Sequence, residues 1–252
     1  MKKLLTATLI LAGLLVTAQK KNKGDDIVYY EDARVKHSRF GVALVTNPVF
    51  TDRRLINNEI PENGVDYFLP SPRAKGAFQL NYGLDLIYSI SSALDVSVGF
   101  AHGALDYSVK DVGIPYITST GDTSRYNAKL EGSAAWYGIP LKFNFNTSVN
   151  DIWDLEVVPM IQFNFPYKYN LTFKPEDANT FDETTLNGDN ILNDLTYIVG
   201  LSLGGTYKFA DNWGLILRGN VSYMLNPLIE QQNYPRETTL SFGLDVGLKY
   251  SF

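Results

Sequence analysis

The sequence predicts an all-β fold: an eight-stranded antiparallel transmembrane β-barrel with short periplasmic turns and long extracellular loops. Three observations predict it. The stretch from Leu240 to Phe252 alternates without exception, with Leu240, Phe242, Leu244, Val246, Leu248, Tyr250 and Phe252 on one face and Ser241, Gly243, Asp245, Gly247, Lys249 and Ser251 on the other. Period two is the signature of a strand, and this length suits a tilted bilayer crossing better than a soluble sheet. Weaker runs of the same pattern precede it, and the connections between them alternate between short and long.

The runs follow in order. The first, Arg39 to Thr46, sets Phe40, Val42 and Leu44 against Gly41 and Ala43. The second, Gly76 to Tyr88, turns Phe78, Leu80, Tyr82, Leu84, Leu86 and Tyr88 outward and Gln79, Asn81, Gly83 and Asp85 inward. The third begins at Leu94 with Val96, Val98 and Phe100 outward. Its apolar set then becomes Leu105, Tyr107 and Val109, which predicts a bulge near Gly103 that reverses every later side chain. The fourth points Tyr137, Ile139, Leu141, Phe143 and Phe145 outward, and the fifth Leu155, Val157, Ile161, Phe163 and Phe165. The sixth does so with Tyr197, Val199, Leu201, Leu203, Tyr207 and Phe209, the seventh with Leu215, Leu217, Val221 and Tyr223, and the eighth is the closing strand. Pro140 and Pro159 fall inside the fourth and fifth runs, where a closed sheet has no free edge to host them. A break or bulge with the two prolines opposite each other is the expected accommodation.

The connections Ser89 to Ala93, Asn146 to Trp153 and Ala210 to Asn212 are short. Asn47 to Lys75, Lys110 to Ala128, Lys174 to Asp194 and Asn226 to Thr238 are long, polar and rich in turn residues. This is the plan of an outer-membrane barrel. Aromatics beside the short turns, namely Tyr88, Phe145, Trp153, Phe209, Trp213 and Phe252, form an expected periplasmic belt.

Residues 1–18 carry Lys2 and Lys3, an apolar run from Leu4 to Val16 and small residues before Gln19, the pattern of a signal peptide. Residues 19–38 read as a polar periplasmic leader, and residues 39–252 as the barrel domain. The chain has 252 residues, 45 % of them hydrophobic, and no cysteine, which removes disulfides and thiolate metal sites. A formal charge of -5 gives no basic footprint for nucleic acid.

The Ala18-Gln19 junction, the strand Ile139-Pro140-Leu141-Lys142-Phe143 and the ending Gly-Leu-Asp-Val-Gly-Leu-Lys-Tyr-Ser-Phe together resemble the outer-membrane β-barrel domain proteins of Bacteroidota, often labelled PorT-like. The resemblance covers roughly residues 39–252. It implies an envelope location and, as in some relatives, a link to type IX secretion or gliding; it brings no catalytic motif.

Candidate chemistry is sparse. His37 lies in the leader. His102, in Phe100-Ala-His-Gly-Ala104, has no serine two positions on, and its parity points to the lipid or the rim. Neither histidine comes with a nucleophile or acid for catalysis, so no catalytic residue, cofactor or metal is expected. The inward charges are a lumen network: Asp85, Asp95, Glu156 and Asp245 against Lys142, Lys208, Arg218 and Lys249. Counting from the turns pairs Lys142 with Glu156 and Arg218 with Asp245. Balanced signs inside a ring this narrow predict a polar plug, since a selectivity filter shows one sign in excess. Asn187-Gly-Asp-Asn190, in the acidic third loop, offers oxygen ligands on a sharp turn that suggest calcium, but it matches no complete signature and a solvated acidic loop is the expectation. Tyr116, Tyr126, Phe181 and Tyr234 are loop aromatics that either pack together or anchor a partner.

The expected protein is a non-enzymatic barrel serving as envelope anchor or accessory. Its expected contacts are outer-membrane lipid, the barrel-assembly machinery during insertion, and an envelope partner reached through the loops or the leader. The alternatives are a small-ligand or narrow transport barrel and, behind it, a lipid-modifying enzyme.

Overall fold

The computed structural model describes residues 39–56, 73–117, 120–176, 183–188, 192–229 and 236–252. The expected signal peptide and leader, His37 included, lie outside these. The described strands are β1 (Phe40–Ile56), β2 (Arg73–Gly76), β3 (Phe78–Ser91), β4 (Leu94–Ile117), β5 (Thr123–Asn150), β6 (Trp153–Pro175), β7 (Thr184–Asn187), β8 (Thr196–Ala210), β9 (Trp213–Met224) and β10 (Arg236–Ser251). The short β2 continues the line of β3, and β7 adds only to β6. The other eight form a closed antiparallel ring in the order β1-β3-β4-β5-β6-β8-β9-β10, sealed by β10 against β1 from Gly41↔Ser251 to Ile56↔Arg236.

Two-residue turns, Ser92-Ala93, Asp151-Ile152 and Asp211-Asn212, join strands at one end. Hydrogen bonds stitch that rim around its circumference: Ser89 N to Arg39 O, Asn146 N to Ala93 O, Lys208 N to Ile152 O, Ser251 N to Asn212 O and Phe252 N to Phe40 O. Asn150 Oδ1 accepts from the amides of Ile152 and Trp153 at 3.1 and 2.8 Å, a side-chain mimic of a turn. Tyr88, Phe145, Trp153, Phe209, Trp213 and Phe252 are all exposed on the outer face at this end.

The outer face is apolar over a long band. On β3 it runs from Phe78 to Ile90, roughly 40 Å of strand and about 28 Å of height at a tilt of about 45°. The inner face over the same height carries buried charge. Leu84 is 49 % exposed while its neighbour Asp85 is 4 % exposed, the reverse of a water-soluble globule.

Three expectations are corrected here. The bulge near Gly103 is absent: β4 pairs with β5 in one register from Leu94↔Phe145 to Val109↔Leu130. Leu105, Tyr107 and Val109 therefore keep the inward parity of Asp95, Ser97 and Gly99, and it is the interior that changes character. They join Leu130, Ala134, Trp136, Tyr169, Leu171, Met224, Leu228 and Ile229 in an apolar inner cluster toward the long-loop end. The bulge that does exist near this height lies on β6. Ala135 pairs with Lys168 but Trp136 with Pro166, leaving Tyr167 as the extra residue and turning Tyr169 and Leu171 inward.

The prolines do not face each other either. Pro140 pairs with Gln162 and Pro159 with Leu201. Each lacks the amide that its other neighbour would need. Pairing between β4 and β5 lapses between Val98↔Leu141 and Ala101↔Gly138, and between β5 and β6 between Lys142↔Met160 and Phe145↔Val157, resuming in the same register each time. Gly99 makes the first lapse possible: a Cβ there would sit 3.2 Å from Pro140 Cγ and 2.6 Å from Leu84 O, and would strike the Asp85 carboxyl.

The long connections are shorter than expected. β1 runs on to Ile56, and much of Lys110 to Ala128 is hairpin, paired from Val112↔Ala128 to Ile117↔Thr123. In the third connection β7 lies against β6.

Candidate functional site

The candidate site is the lumen below the apolar cluster. Strand alternation alone puts charges there, because each inward residue is flanked by outward ones. Lys142 Nζ donates to Asp85 Oδ2 at 2.5 Å. Lys249 Nζ donates to Asp95 Oδ2 at 3.3 Å, and Asn146 Nδ2 donates to the same oxygen at 2.9 Å. Arg218 is the hub: its terminal nitrogen reaches Glu156 Oε2 at 3.2 Å and Asn144 Oδ1 at 3.4 Å, and its Nε lies 3.8 Å from Asp245 Oδ2. Glu156 also accepts from Thr206 Oγ1 at 2.7 Å. Asp245 accepts from Asn47 Nδ2 at 2.5 Å, Ser202 Oγ at 2.8 Å and Asn220 Nδ2 at 2.9 Å.

All eight charges read from the sequence face inward, but one pairing differs. Lys142 goes to Asp85 rather than Glu156, because β5–β6 register sets Asn146, not Lys142, opposite Glu156. Arg218 and Asp245 are cross-strand neighbours. Lys208 takes a partner that the sequence reading omitted: its Nζ meets the Asp154 carboxylate at 2.8 Å near the short-turn mouth. Asp154 shares inward parity with Glu156, so extending the alternation two residues back would have found it. The bonds made by the neutral donors Asn47, Ser202, Thr206 and Asn220 were invisible for another reason, since nothing in a polar inward residue says which strand its partner is on.

Between these charges and the apolar cluster lies a cavity of about 110 Å³, bordered by Asn47, Asn81, Asp85, Trp136, Lys142 and Asp245 among others. No group of three or more His, Cys, Asp or Glu suited to a metal occurs among the described residues. Asp189, Asn190, Phe181 and Tyr234 lie outside the described residues, so the suggested calcium loop and half the loop aromatics are not described. Tyr126 lies in β5, and Tyr116 falls within the span of β4. His102 faces outward; its Nε2 and the Tyr167 hydroxyl are 2.9 Å apart, and its ring packs against Tyr82 and Tyr137.

The class is set by these features: a closed eight-stranded antiparallel barrel with charge inside and hydrocarbon outside. No family model matches the sequence, the PorT-like resemblance included, and a search of curated proteins gives no match. Solved structures are similar in plan. Neisserial surface protein A shares 12 % identity over 85 % of this chain and 98 % of its own, at a TM-score of 0.46. The outer membrane protease OmpT from Escherichia coli shares 8 % over 88 % and 99 %, at 0.43. The outer membrane protein AlkL shares 15 % over 91 % and 97 %, at 0.39. Likeness at this level assigns neither an activity nor a residue role.

Proposed function

We propose that this chain is a non-enzymatic integral outer-membrane β-barrel with a plugged lumen, serving as an anchor or accessory in the cell envelope. The observation that carries this reading is the inverted partition of the wall. Leu244 is 50 % exposed, whereas Arg218, one residue off directly across from it, is 4 % exposed within its ion pairs. Hydrocarbon is the solvent that rewards such a surface, and a closed ring leaves no backbone edge for lipid to meet. Exported by its signal peptide and inserted by the barrel-assembly machinery, the protein would meet its partner through the long-loop end or the leader. A narrower form of the reading, resting on the PorT-like resemblance, makes that partner part of a secretion or gliding apparatus.

Paired charges and an apolar cluster stand in series along the described lumen. The purified chain in a planar bilayer is expected to pass essentially no current; well-resolved single-channel steps would overturn the plug. Crosslinking in cells followed by co-purification tests the accessory role, which fails if no discrete envelope protein is captured.

The cavity favours one second reading, a barrel that holds a small ligand. Saturable binding of a solute, lost on filling the space with Ala101→Leu, would support it. A lipid-modifying activity finds no such support, since the groups around His102 are tyrosines rather than an acid and a nucleophile.

A further inference from the structure

One outward-facing cluster is left unused by a plugged lumen. Tyr82, His102, Tyr137 and Tyr167 meet on the outer wall of β3, β4, β5 and β6. Tyr82 stacks on His102 at 5.1 Å, Tyr137 stacks on Tyr167 at 4.7 Å, and the 2.9 Å contact between His102 Nε2 and the Tyr167 hydroxyl joins the pairs. The β6 bulge delivers Tyr167 to this group, a use of an extra residue to re-aim a side chain.

Height decides what the cluster can meet. Below it the outward side chains are Phe100, Ile139 and Leu84, all exposed. The next row above is Ala104, Ala135 and Lys168, and the one after it Asp106, Ser133 and Asn170. On β4, β5 and β6 the rings therefore stand where the outer face passes from apolar to polar, while on β3 Leu80 and Phe78 carry the apolar face on above Tyr82. Lys168, exposed and one row above, has neither a hydrogen bond nor an ion pair among the described residues. The first outward carboxylate above it in these rows is Asp106, a further row up and two strands away.

We propose that Tyr82, His102, Tyr137, Tyr167 and Lys168 form a docking site for the phosphorylated headgroup of an outer-leaflet lipid. The ring bodies lie along the lipid's apolar region, while the tyrosine hydroxyls, His102 and the Lys168 ammonium meet the phosphate. Aromatic side chains with a wet end suit this depth, and an unpaired cation supplies the complementary charge. The inference rests on membrane residence and goes further by naming what the wall selects there.

The test uses the full chain reconstituted into phosphatidylcholine vesicles with or without a minor fraction of diphosphoryl lipid A. Lipid retained per barrel after detergent extraction is read by native mass spectrometry. Wild type is expected to retain lipid A in preference to phosphatidylcholine. Lys168→Glu is expected to lower that retention by about 5-fold or more, the worth of one lysine at an anionic surface. Lys110→Glu, an equally exposed lysine roughly 27 Å further along β4 from His102, is expected to leave it unchanged. Equal retention by wild type and Lys168→Glu, or an equal fall in Lys110→Glu, overturns the site. Failure to insert into either vesicle overturns membrane residence itself, whereas insertion without lipid A preference sinks only this site.

Discussion

Arg218 shows what a single side chain does in this interior. It stands between two buried carboxylates, Glu156 and Asp245, and is itself 4 % exposed. Removing it leaves two buried anions in contact with no cation, a situation that costs about 3–5 kcal/mol when a buried pair is broken. Arg218→Met is expected to lower stability by that amount in urea unfolding of the vesicle-embedded barrel. Glu156→Gln should cost less, because Arg218 keeps Asp245. Above the band Glu131 titrates with the fold: its pKa is lowered from 4.5, first by its hydrogen bonds to Lys129 and Lys174, so it stabilises above that pH and the gain is lost as pH falls through the depressed value. Glu131→Gln should lower stability slightly at neutral pH, its pair being largely solvated. Unfolding curves of the two proteins at pH 7 and pH 3, separated at the first and drawn together at the second, check it.

At the scale of elements, β4 and β6 mark the border of what alternation reveals. Up to Phe100 the outward and inward sets of β4 are as the sequence reads them. Beyond Gly103 both faces change at once, and a period-two pattern has two explanations for that. Either the strand slips by one residue, or it leaves hydrocarbon for water, so that polar residues face out and apolar ones pack within. Ala104, Asp106, Ser108 and Lys110 on the outer face fit the second, but one strand alone does not choose. The neighbouring β6 holds the reverse case, where Tyr169 and Leu171 keep the sequence parity of outward Phe165 and are turned inward by the extra Tyr167. The inner cluster that results packs as a soluble core does. Leu105, 2 % exposed, should lose about 2–5 kcal/mol on replacement by alanine through the cavity left behind. Leu84→Ala in the apolar outer band should cost less, because lipid refills the space; thermal unfolding of the two variants side by side tests the contrast. Gly132 belongs to the same packing, since a Cβ there would fall within the ring of Tyr107, whose hydroxyl is 2.8 Å from that of Tyr169.

Across the whole molecule, the wall was legible because lipid on one side and ions on the other impose opposite chemistry on alternate residues. The ring, its tight turns and the inward direction of Asp85, Asp95, Lys142, Glu156, Lys208, Arg218, Asp245 and Lys249 all follow from that rule. Partner choice among those charges did not, because it depends on the stagger between strands far apart in the chain. Lys142 and Asp85 are separated by 57 residues and two strand boundaries. Pro140 and Pro159 were misplaced for the same reason: each removes a donor toward one neighbour only, and the sequence does not say which.

The seam between β1 and β10 sets a final consequence for how such a ring comes into being. It joins the earliest of these strands to be synthesised with the last, through pairs such as Leu44↔Leu248. Until β10 arrives, β1 and β9 each present a raw edge of amides and carbonyls, bare in a solvent that offers them nothing. Closure is therefore a single late event, like the clasp of a bracelet. A chain truncated before Arg236 would lack the strand that closes the ring and keep two sticky margins, ready to fasten onto a stranger.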